Sequence, residues 1–353
     1  MRHNLSKLPL LAVIAVLLLA PSALAQTSAL SSLPEADALF YASPHRILNE
    51  AAPRVVAPAD LIKMRTTFAD LKKAIGVDPS SIEYLVIAMR FHKPTGDLSF
   101  VAPDVMSVIG GDFSSDSLMS LGQLYLQDKI RVEKYGSKSI AVMRVDQIAA
   151  EAEKNPILKP FVEMAAVPLT ANSLAFGNLG YIKAAVDAVD GNGRIGPAAL
   201  QSLMRDPNVL IAASGAPLAA FAKSFGLLGL ENTSRASRCD TSFGNFYAAV
   251  TMNGANFSLR GAMDADNPDT AKIIYNLFSG LMKEGINAVP DKDAQKILQL
   301  VKMSARDNEI VWEADIPDKD VAEFIRMQPK AKAEAKEPPK PAAKRTIRRK
   351  RTK

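Results

Sequence analysis

The stretch from Ser173 to Gly196 contains two patterns that are typical of ligand sites. In the first, Asp190-Gly191-Asn192-Gly193 resembles part of a calcium-binding loop, in which oxygen ligands recur at alternate positions before a glycine. With Gly193 as that glycine, the first and twelfth positions are Ala188 and Ala199, where such a loop needs carboxylates. We therefore interpret these residues as a polar turn that ends a helix, and we predict no metal site.

The second pattern is Gly177-Asn178-Leu179-Gly180, which lies between a predicted strand and a predicted helix, where a phosphate could bind. It has neither the Gly-x-Gly-x-x-Gly spacing of dinucleotide sites nor the Gly-Lys-Ser/Thr of a P-loop. A tight strand-to-helix turn explains the glycines, so we predict no cofactor.

Residues that could support catalysis are scarce. Ser43 and His45 lie two positions apart at the end of a predicted strand and would share a face, but no orienting acid or oxyanion site accompanies them. Cys239 is the only cysteine, and although Arg235 and Arg238 lie near it, no histidine does. We therefore predict a non-catalytic protein. A hydrolase that uses Ser43 and His45, or Cys239, is the disfavoured alternative.

The N-terminus has the pattern of a secretory signal. Arg2 and Lys7 precede an apolar run over residues 10–20, and Ala23-Leu24-Ala25 is a small-x-small cleavage motif. The run is too short to cross a bilayer comfortably, although an uncleaved anchor helix is the alternative. We predict a signal peptide over residues 1–25, cleavage before Gln26, a short linker over residues 26–33, and export to the periplasm or the cell exterior.

Residues 328–353 have a different composition from the rest of the chain. From residue 329 onward there are eleven basic and two acidic residues, a net charge of +9. The whole chain carries +6 and the first 25 residues carry +2, which leaves −5 for the body between them. Such a composition predicts a disordered tail, because it cannot bury enough apolar surface to fold alone. Its positive cluster comprises Lys344, Arg345, Arg348, Arg349, Lys350, Arg351 and Lys353.

This tail is suited to polyanions, and anionic lipid headgroups or a cell-wall polymer are the partners we expect. The alternative is a solvated tail that only aids solubility. We do not expect nucleic acid, because an exported chain would rarely meet it and no aromatic residue is interleaved for base stacking. The identity of any protein partner is left open.

The body, residues 34–327, alternates short apolar runs with amphipathic helices, and the order strand, helix, hairpin, helix, hairpin occurs twice. The two series are offset by roughly 150 to 170 residues, too long a period for a solenoid. We predict an α+β fold of two similar lobes from an internal duplication, with antiparallel sheets and helices packed on one face. Lobe one covers residues 34–145, connecting helices and a strand cover 146–205, and lobe two covers 206–327.

Individual elements follow from periodicity and turn signals. The predicted strands are residues 37–42, 83–92, 98–109, 130–135, 139–145, 208–213, 243–252, 256–264, 301–305 and 309–315. The predicted helices span residues 60–75, 115–127, 147–167, 218–225, 268–281 and 291–300. Residues expected to share one face of the first helix are Leu61, Met64, Phe68, Leu71 and Ile75. The fifth helix is expected to bury Ile274, Leu277, Phe278 and Leu281.

Five short segments carry a resemblance to a known group. They are Leu33-Pro34-x-x-Asp37-Ala38, the run 47–54, Gly76-Val77-Asp78-Pro79, Ala175-Phe176-Gly177-Asn178 and Asp206-Pro207-Asn208. In these the body resembles uncharacterised exported proteins of acidobacterial type. The resemblance does not extend to the basic tail, and it implies no activity.

Together these patterns predict an exported, non-catalytic protein that binds an envelope component or a protein partner. The alternative is a carrier of an apolar ligand held between the two lobes. That alternative predicts a cavity lined by residues such as Met106, Met119, Phe278 and Met282.

Overall fold

The computed structural model of the chain describes residues 30, 33–92, 102–154, 156–196, 199–200, 203, 208–215, 244–288 and 292–327. The predicted signal peptide, the basic tail, Cys239 and the predicted helix 218–225 lie outside these residues. Within them, no helix has both the length and the apolar character needed to span a bilayer.

In the described part of the chain, twelve strands form one sheet, and all neighbouring strands are antiparallel. The order across the sheet is β11-β12-β10-β9-β8-β1-β2-β3-β7-β6-β5-β4. The strands are β1 (Ala38–Ala42), β2 (Ile82–Arg90), β3 (Asp104–Gly111), β4 (Ile130–Tyr135), β5 (Lys138–Arg144), β6 (Glu163–Thr170), β7 (Ser173–Asn178), β8 (Val209–Gly215), β9 (Phe246–Asn253), β10 (Asn256–Asp264), β11 (Lys302–Arg306) and β12 (Glu309–Pro317). The predicted α+β class is confirmed, with one continuous sheet in place of separate ones.

The helices connect these strands. They are α1 (Pro44–Arg46), α2 (Ala52–Val55), α3 (Pro58–Ile75), α4 (Ser115–Leu126), α5 (Asp146–Ala152), α6 (Leu179–Val189), α7 (Pro268–Ala288), α8 (Lys292–Gln299) and α9 (Asp318–Met327), with a π-helical turn Ile47–Ala51 between α1 and α2. At the start of α7, the side chain of Asn267 accepts a hydrogen bond from the backbone N–H of Thr270 at 2.9 Å, which is the predicted N-cap.

The two predicted lobes meet where β1 pairs with β8. Moving outward, β2 and β3 follow on one side, and β9 and β10 follow on the other. The outer hairpins, β4–β5 and β11–β12, also correspond in order, and the β6–β7 hairpin is inserted only between β3 and β5. This order is compatible with the internal duplication, which stays a prediction.

The helix predicted over residues 147–167 is wrong for most of its length. Helix α5 ends at Ala152, a 3₁₀ segment covers Pro156–Phe161, and β6 begins at Glu163. Pro156 and Pro160 lack the N–H that a helix interior needs. Beyond them Ala165, Val167 and Leu169 are buried at every second position, which is the period of a strand.

The largest hydrophobic cluster covers one face of the sheet, which we call the covered face. It contains Val86 and Val108 of the central strands and Tyr181, Ile182 and Val186 of α6, all nearly or fully buried. Leu30 and Leu33, in the predicted linker, are also fully buried in this cluster. Residues 30 and 33 therefore help to form the core.

Helices also pack on the opposite face, so the prediction of helices on one face is corrected. Helix α7 places Ile274 against Met263 of β10 and Ile310 of β12. Near the other ends of the same strands, the π-helical turn, α2 and α9 pack against Met252 and Phe257. The reason is that the apolar side chains of β10 and β12, such as Met263 and Ile310, lie on this face, and an apolar face favours a covering layer.

Candidate functional site

Ser43 and His45 have separate contacts in the structure. Ser43 is buried, and its backbone N–H donates to the carbonyl oxygen of Leu210 at 2.8 Å. Nδ1 of His45 lies 2.8 Å from the carbonyl oxygen of Ser80 and 3.2 Å from Nδ2 of Asn49. These contacts tie His45 to the start of β2 and to its own helical segment, and neither partner is an acid.

Asp190–Gly193 form a turn at the end of α6. Gly191 and Gly193 have φ values of 104° and 65°, which glycine adopts without strain. The carboxylate of Asp190 accepts a hydrogen bond from Oγ of Ser137 at 2.9 Å, which ties this turn to the β4–β5 hairpin. This arrangement has the geometry of the polar turn that the sequence predicts.

Protein groups fill the start of α6. Asn178 is almost fully buried, and its side chain accepts from the backbone N–H of Val105 and donates to the carbonyl oxygen of Pro160. Gly177 lies so close to the backbone of β3 that an added Cβ would collide with the carbonyl oxygen of Val105. Gly177 therefore lies within β7 and permits its close packing on β3, whereas the sequence assigned it to a tight strand-to-helix turn.

A polar cluster that was not predicted lies where β2 ends and β3 begins. The Asp104 carboxylate lies 2.8 Å from a guanidinium nitrogen of Arg90 and 2.9 Å from Nε2 of His92. The Arg90 guanidinium also lies 4.8 Å from the ring centre of Tyr181, and burial raises the pKa of that phenol. A carboxylate that holds a histidine can orient a general base, but here Arg90 shares the carboxylate. The cluster joins three elements, so no local sequence signal reveals it.

The first exposed apolar surface lies on the face opposite the covered face, on β8, β1, β2, β3 and β7. We call it the open face. Strand register aligns Ala213, Phe40, Ile87, Ser107 and Phe176 in one row across these five strands. Other side chains of the face include Leu85, Met89, Val105, Ile109, Leu174 and Ile211.

Large apolar side chains of the open face remain accessible. Phe40, Phe176 and Ile211 are 40%, 46% and 49% exposed, although all three strands lie in the sheet interior. An antiparallel sheet with one solvated face normally carries polar residues there, whereas Ser107 is the polar side chain of the central row. An apolar surface of this kind typically marks an interaction site.

The second exposed apolar surface lies on α7, α8 and α9, and we call it the C-terminal patch. Helix α7 contacts α8, and α8 contacts α9. The exposed apolar side chains are Ile273, Leu277, Leu281, Leu298, Leu300 and Ile325. Those of α7 recur at every fourth position and so form a stripe along one side of the helix.

This stripe corrects part of the burial predicted for α7. Ile274 is buried and Phe278 packs against the same cluster, as predicted. Leu277 and Leu281 were also expected to be buried, but each is 55% exposed. The apolar arc of α7 is wider than the strip that β10, β11 and β12 cover, so its outer side chains remain at the surface.

Helix α3 is a further exposed element. Its main contacts are with the segments that flank it in the chain. Ile62 is 66% exposed and Leu71 is 41% exposed, while Leu61, Met64 and Phe68 are half-buried. The predicted amphipathic face is therefore present on α3 but packs little against the body.

The predicted lining of an apolar cavity is not brought together as expected. Met106 is fully buried within the covered-face cluster, because it lies at an inward position of β3. Met119, Phe278 and Met282 are half-buried on α4 and α7. Met106 therefore cannot line a site on the open face.

No protein-family model matches the chain, and no curated protein matches it. Among solved structures, the chain is similar to crystal form III of TP0453, with 10% identity, a TM-score of 0.44, and coverage of 84% of this chain and 96% of that one. Crystal form I of TP0453 gives 11% identity, a TM-score of 0.41, and coverage of 84% and 95%.

Proposed function

We propose that this chain is an exported, non-catalytic protein that binds the anionic lipid surface of the cell envelope. The C-terminal patch would contact the lipid, and the basic tail would attract it. The observation that supports this most directly is that the last of the six exposed apolar side chains of the patch, Ile325, lies two residues before Met327, after which a tail of net charge +9 follows. Apolar contact and clustered positive charge are the two features that surface-binding helices combine.

Neither feature is sufficient alone. Full burial of a leucine or isoleucine contributes about 1.5 to 3 kcal/mol, and these side chains are already partly covered, so each would contribute less. A basic residue beside an anionic membrane contributes about 1 kcal/mol. Stable attachment generally needs two such signals, which here lie next to each other in the chain.

Charge favours a lipid surface that the tail can reach. The body carries a net charge of −5, so an anionic surface would repel it weakly. The positive tail outweighs this repulsion when the partner is anionic and large enough to contact many basic residues at once. An anionic bilayer meets both conditions and also offers an apolar layer for Leu277 and its neighbours.

Vesicle flotation of the chain from Gln26 to Lys353 would test this proposal. We expect binding to vesicles that contain phosphatidylglycerol, little binding to pure phosphatidylcholine, and a marked fall at high salt. Leu277→Glu should weaken binding at least tenfold, and so should truncation after Met327. The matched control is Val132→Glu, because Val132 is 56% exposed but lies on β4, at the far edge of the sheet.

Two results would contradict the proposal. One is the absence of binding to any vesicle, which would favour a protein partner. The other is wild-type binding by Leu277→Glu together with loss in the truncated chain, which would mean that the tail acts without the patch.

A further inference from the structure

We infer that the open face binds the single hydrocarbon chain of a lipid amphiphile, such as a fatty acid or a lysophospholipid, with its headgroup in solvent. This inference is independent of the proposed surface binding, because it rests on β8, β1, β2, β3 and β7 and not on α7, α8 or α9. The open face spans the junction between the two predicted lobes, where β1 pairs with β8.

The open face has few polar groups with which to bind a ligand, so it is suited to hydrocarbon. Each of its five strands is paired on both sides, so the backbone groups are already used within the sheet. A peptide therefore cannot add to these strands by main-chain hydrogen bonds. The row of side chains from Ala213 to Phe176 contains one hydroxyl, that of Ser107, and no charge.

The size of the open face argues against a second copy of the chain. Five strands at about 4.8 Å spacing are about 24 Å wide, and the rows from Met89 to Leu85 extend about 13 Å along the strands. The resulting area, about 300 Å², is well below the roughly 800 Å² that each partner buries in a stable protein interface. A long, narrow aliphatic chain needs no larger surface.

Neighbouring elements give this surface a boundary. The row that contains Phe40 continues through Ala248 and Gly261 to Trp312. There it is covered, since Trp312 packs with the residues under α7 and stacks on Phe246 at 5.7 Å between ring centres. The row is therefore covered at Trp312, under α7, and accessible at Phe40, near the middle of the sheet. A hydrocarbon chain lying along it would continue the packing that α7 provides at one end.

The test is a titration of a fluorescent long-chain fatty acid, below its micelle concentration and without vesicles, into the chain from Gln26 to Lys353. We expect saturable binding of one probe per chain and competition by lysophosphatidylcholine. Ile211→Ser and Phe176→Ser should each weaken binding at least tenfold. Val132→Ser is the matched control, because Val132 is 56% exposed but lies on β4, outside the open face and the C-terminal patch, and it should bind as the wild type does.

Thermal unfolding of each variant, followed by circular dichroism, would establish that the folds are intact. The inference is overturned if binding does not saturate, if Ile211→Ser and Phe176→Ser bind normally, or if Val132→Ser loses binding equally. It is also overturned if light scattering finds a dimer that Phe176→Ser dissociates, which would make a second copy the occupant. Loss of vesicle binding in Leu277→Glu with normal fatty-acid binding would separate this site from the proposed membrane contact.

Discussion

The two faces of the central strands are chemically alike but differ in what covers them. Val86 and Ile87 are adjacent on β2, yet Val86 is fully buried and Ile87 is half-buried. The same alternation recurs on β3, where Met106 and Val108 are buried while Val105 and Ile109 are partly accessible. Helix α6, Leu30 and Leu33 pack on the first face. On the second face, Leu210 at the start of β8 packs with Val55 of α2, but among the described residues no hydrophobic cluster covers the rows from Leu85 to Met89.

This difference teaches that apolar character and burial are separate properties of a strand. A run such as β2 is apolar at nearly every position, which is usual for a strand with covering layers on both sides. Among the described residues, only one of those layers is present over the sheet centre. The apolar side chains retained there are the reason to regard the open face as a binding surface.

The largest effect should come from equal truncations on the two faces. Ile140 is fully buried on the covered face, and Ile140→Ala should lower the free energy of unfolding by about 2 to 5 kcal/mol, because it leaves a cavity. Ile211 is 49% exposed on the open face, and Ile211→Ala should cost less than about 1 kcal/mol. Urea denaturation would measure both, and equal losses would mean that the open face is covered in solution.

An intermediate effect is expected where α7 covers the second face. Gly261 lies directly against the indole of Trp312, so Gly261→Val should displace that ring and cost about 1 to 3 kcal/mol. Gly280 lies on the exposed side of α7 with no neighbouring atom in the way. Gly280→Ala should therefore stabilise the chain by up to about 1 kcal/mol, because alanine favours a helix. Thermal unfolding would distinguish the two, and a neutral Gly261→Val would show that the packing there is loose.

The smallest effect on stability is expected at Asp315 of β12, a carboxylate beside Ser258 and Arg260 of β10. Hydrogen bonds from Ser258 and Arg260 hold the pKa of Asp315 below its usual value of 3.8. A lowered carboxyl pKa stabilises the fold above the pKa of the unfolded chain, and this contribution is lost as the pH falls through the folded-state value. Because Asp315 is half exposed, Asp315→Asn should cost under about 1 kcal/mol at pH 7. Urea denaturation at pH 7 and at pH 3 should find that difference shrinking in acid, and a constant difference would contradict this assignment.

Much of the fold could be predicted from local patterns. Asn253-Gly254 predicts the β9–β10 hairpin, and Asn267-Pro268 predicts the start of α7, both of which the structure contains. The strand β6 could not be recognised in the same way, because its alanines and methionine suit a helix as well as a strand. Helix α9 was not predicted either, although its Val321 and Ala322 pack beside Phe257.

The candidate surfaces were much harder to predict. Periodicity identifies Leu277 and Leu281 as one apolar stripe with Ile274, but it cannot say how wide a strip the sheet will cover. The open face depends on pairings between residues as distant in sequence as Phe40, Phe176 and Ile211. Such a surface exists only after the whole sheet has formed. The basic cluster from Lys344 to Lys353, by contrast, is evident from the sequence alone, and it lies outside the described residues.

Hydrogen–deuterium exchange with and without phosphatidylglycerol vesicles would test the central claim most directly, because it locates the contact on the chain. If the C-terminal patch binds the lipid surface, exchange should slow in peptides from α7, α8 and α9, and it should be unchanged in α6, which lies in the covered-face core. Protection confined to the tail, or found equally in α6 and α7, would contradict the account.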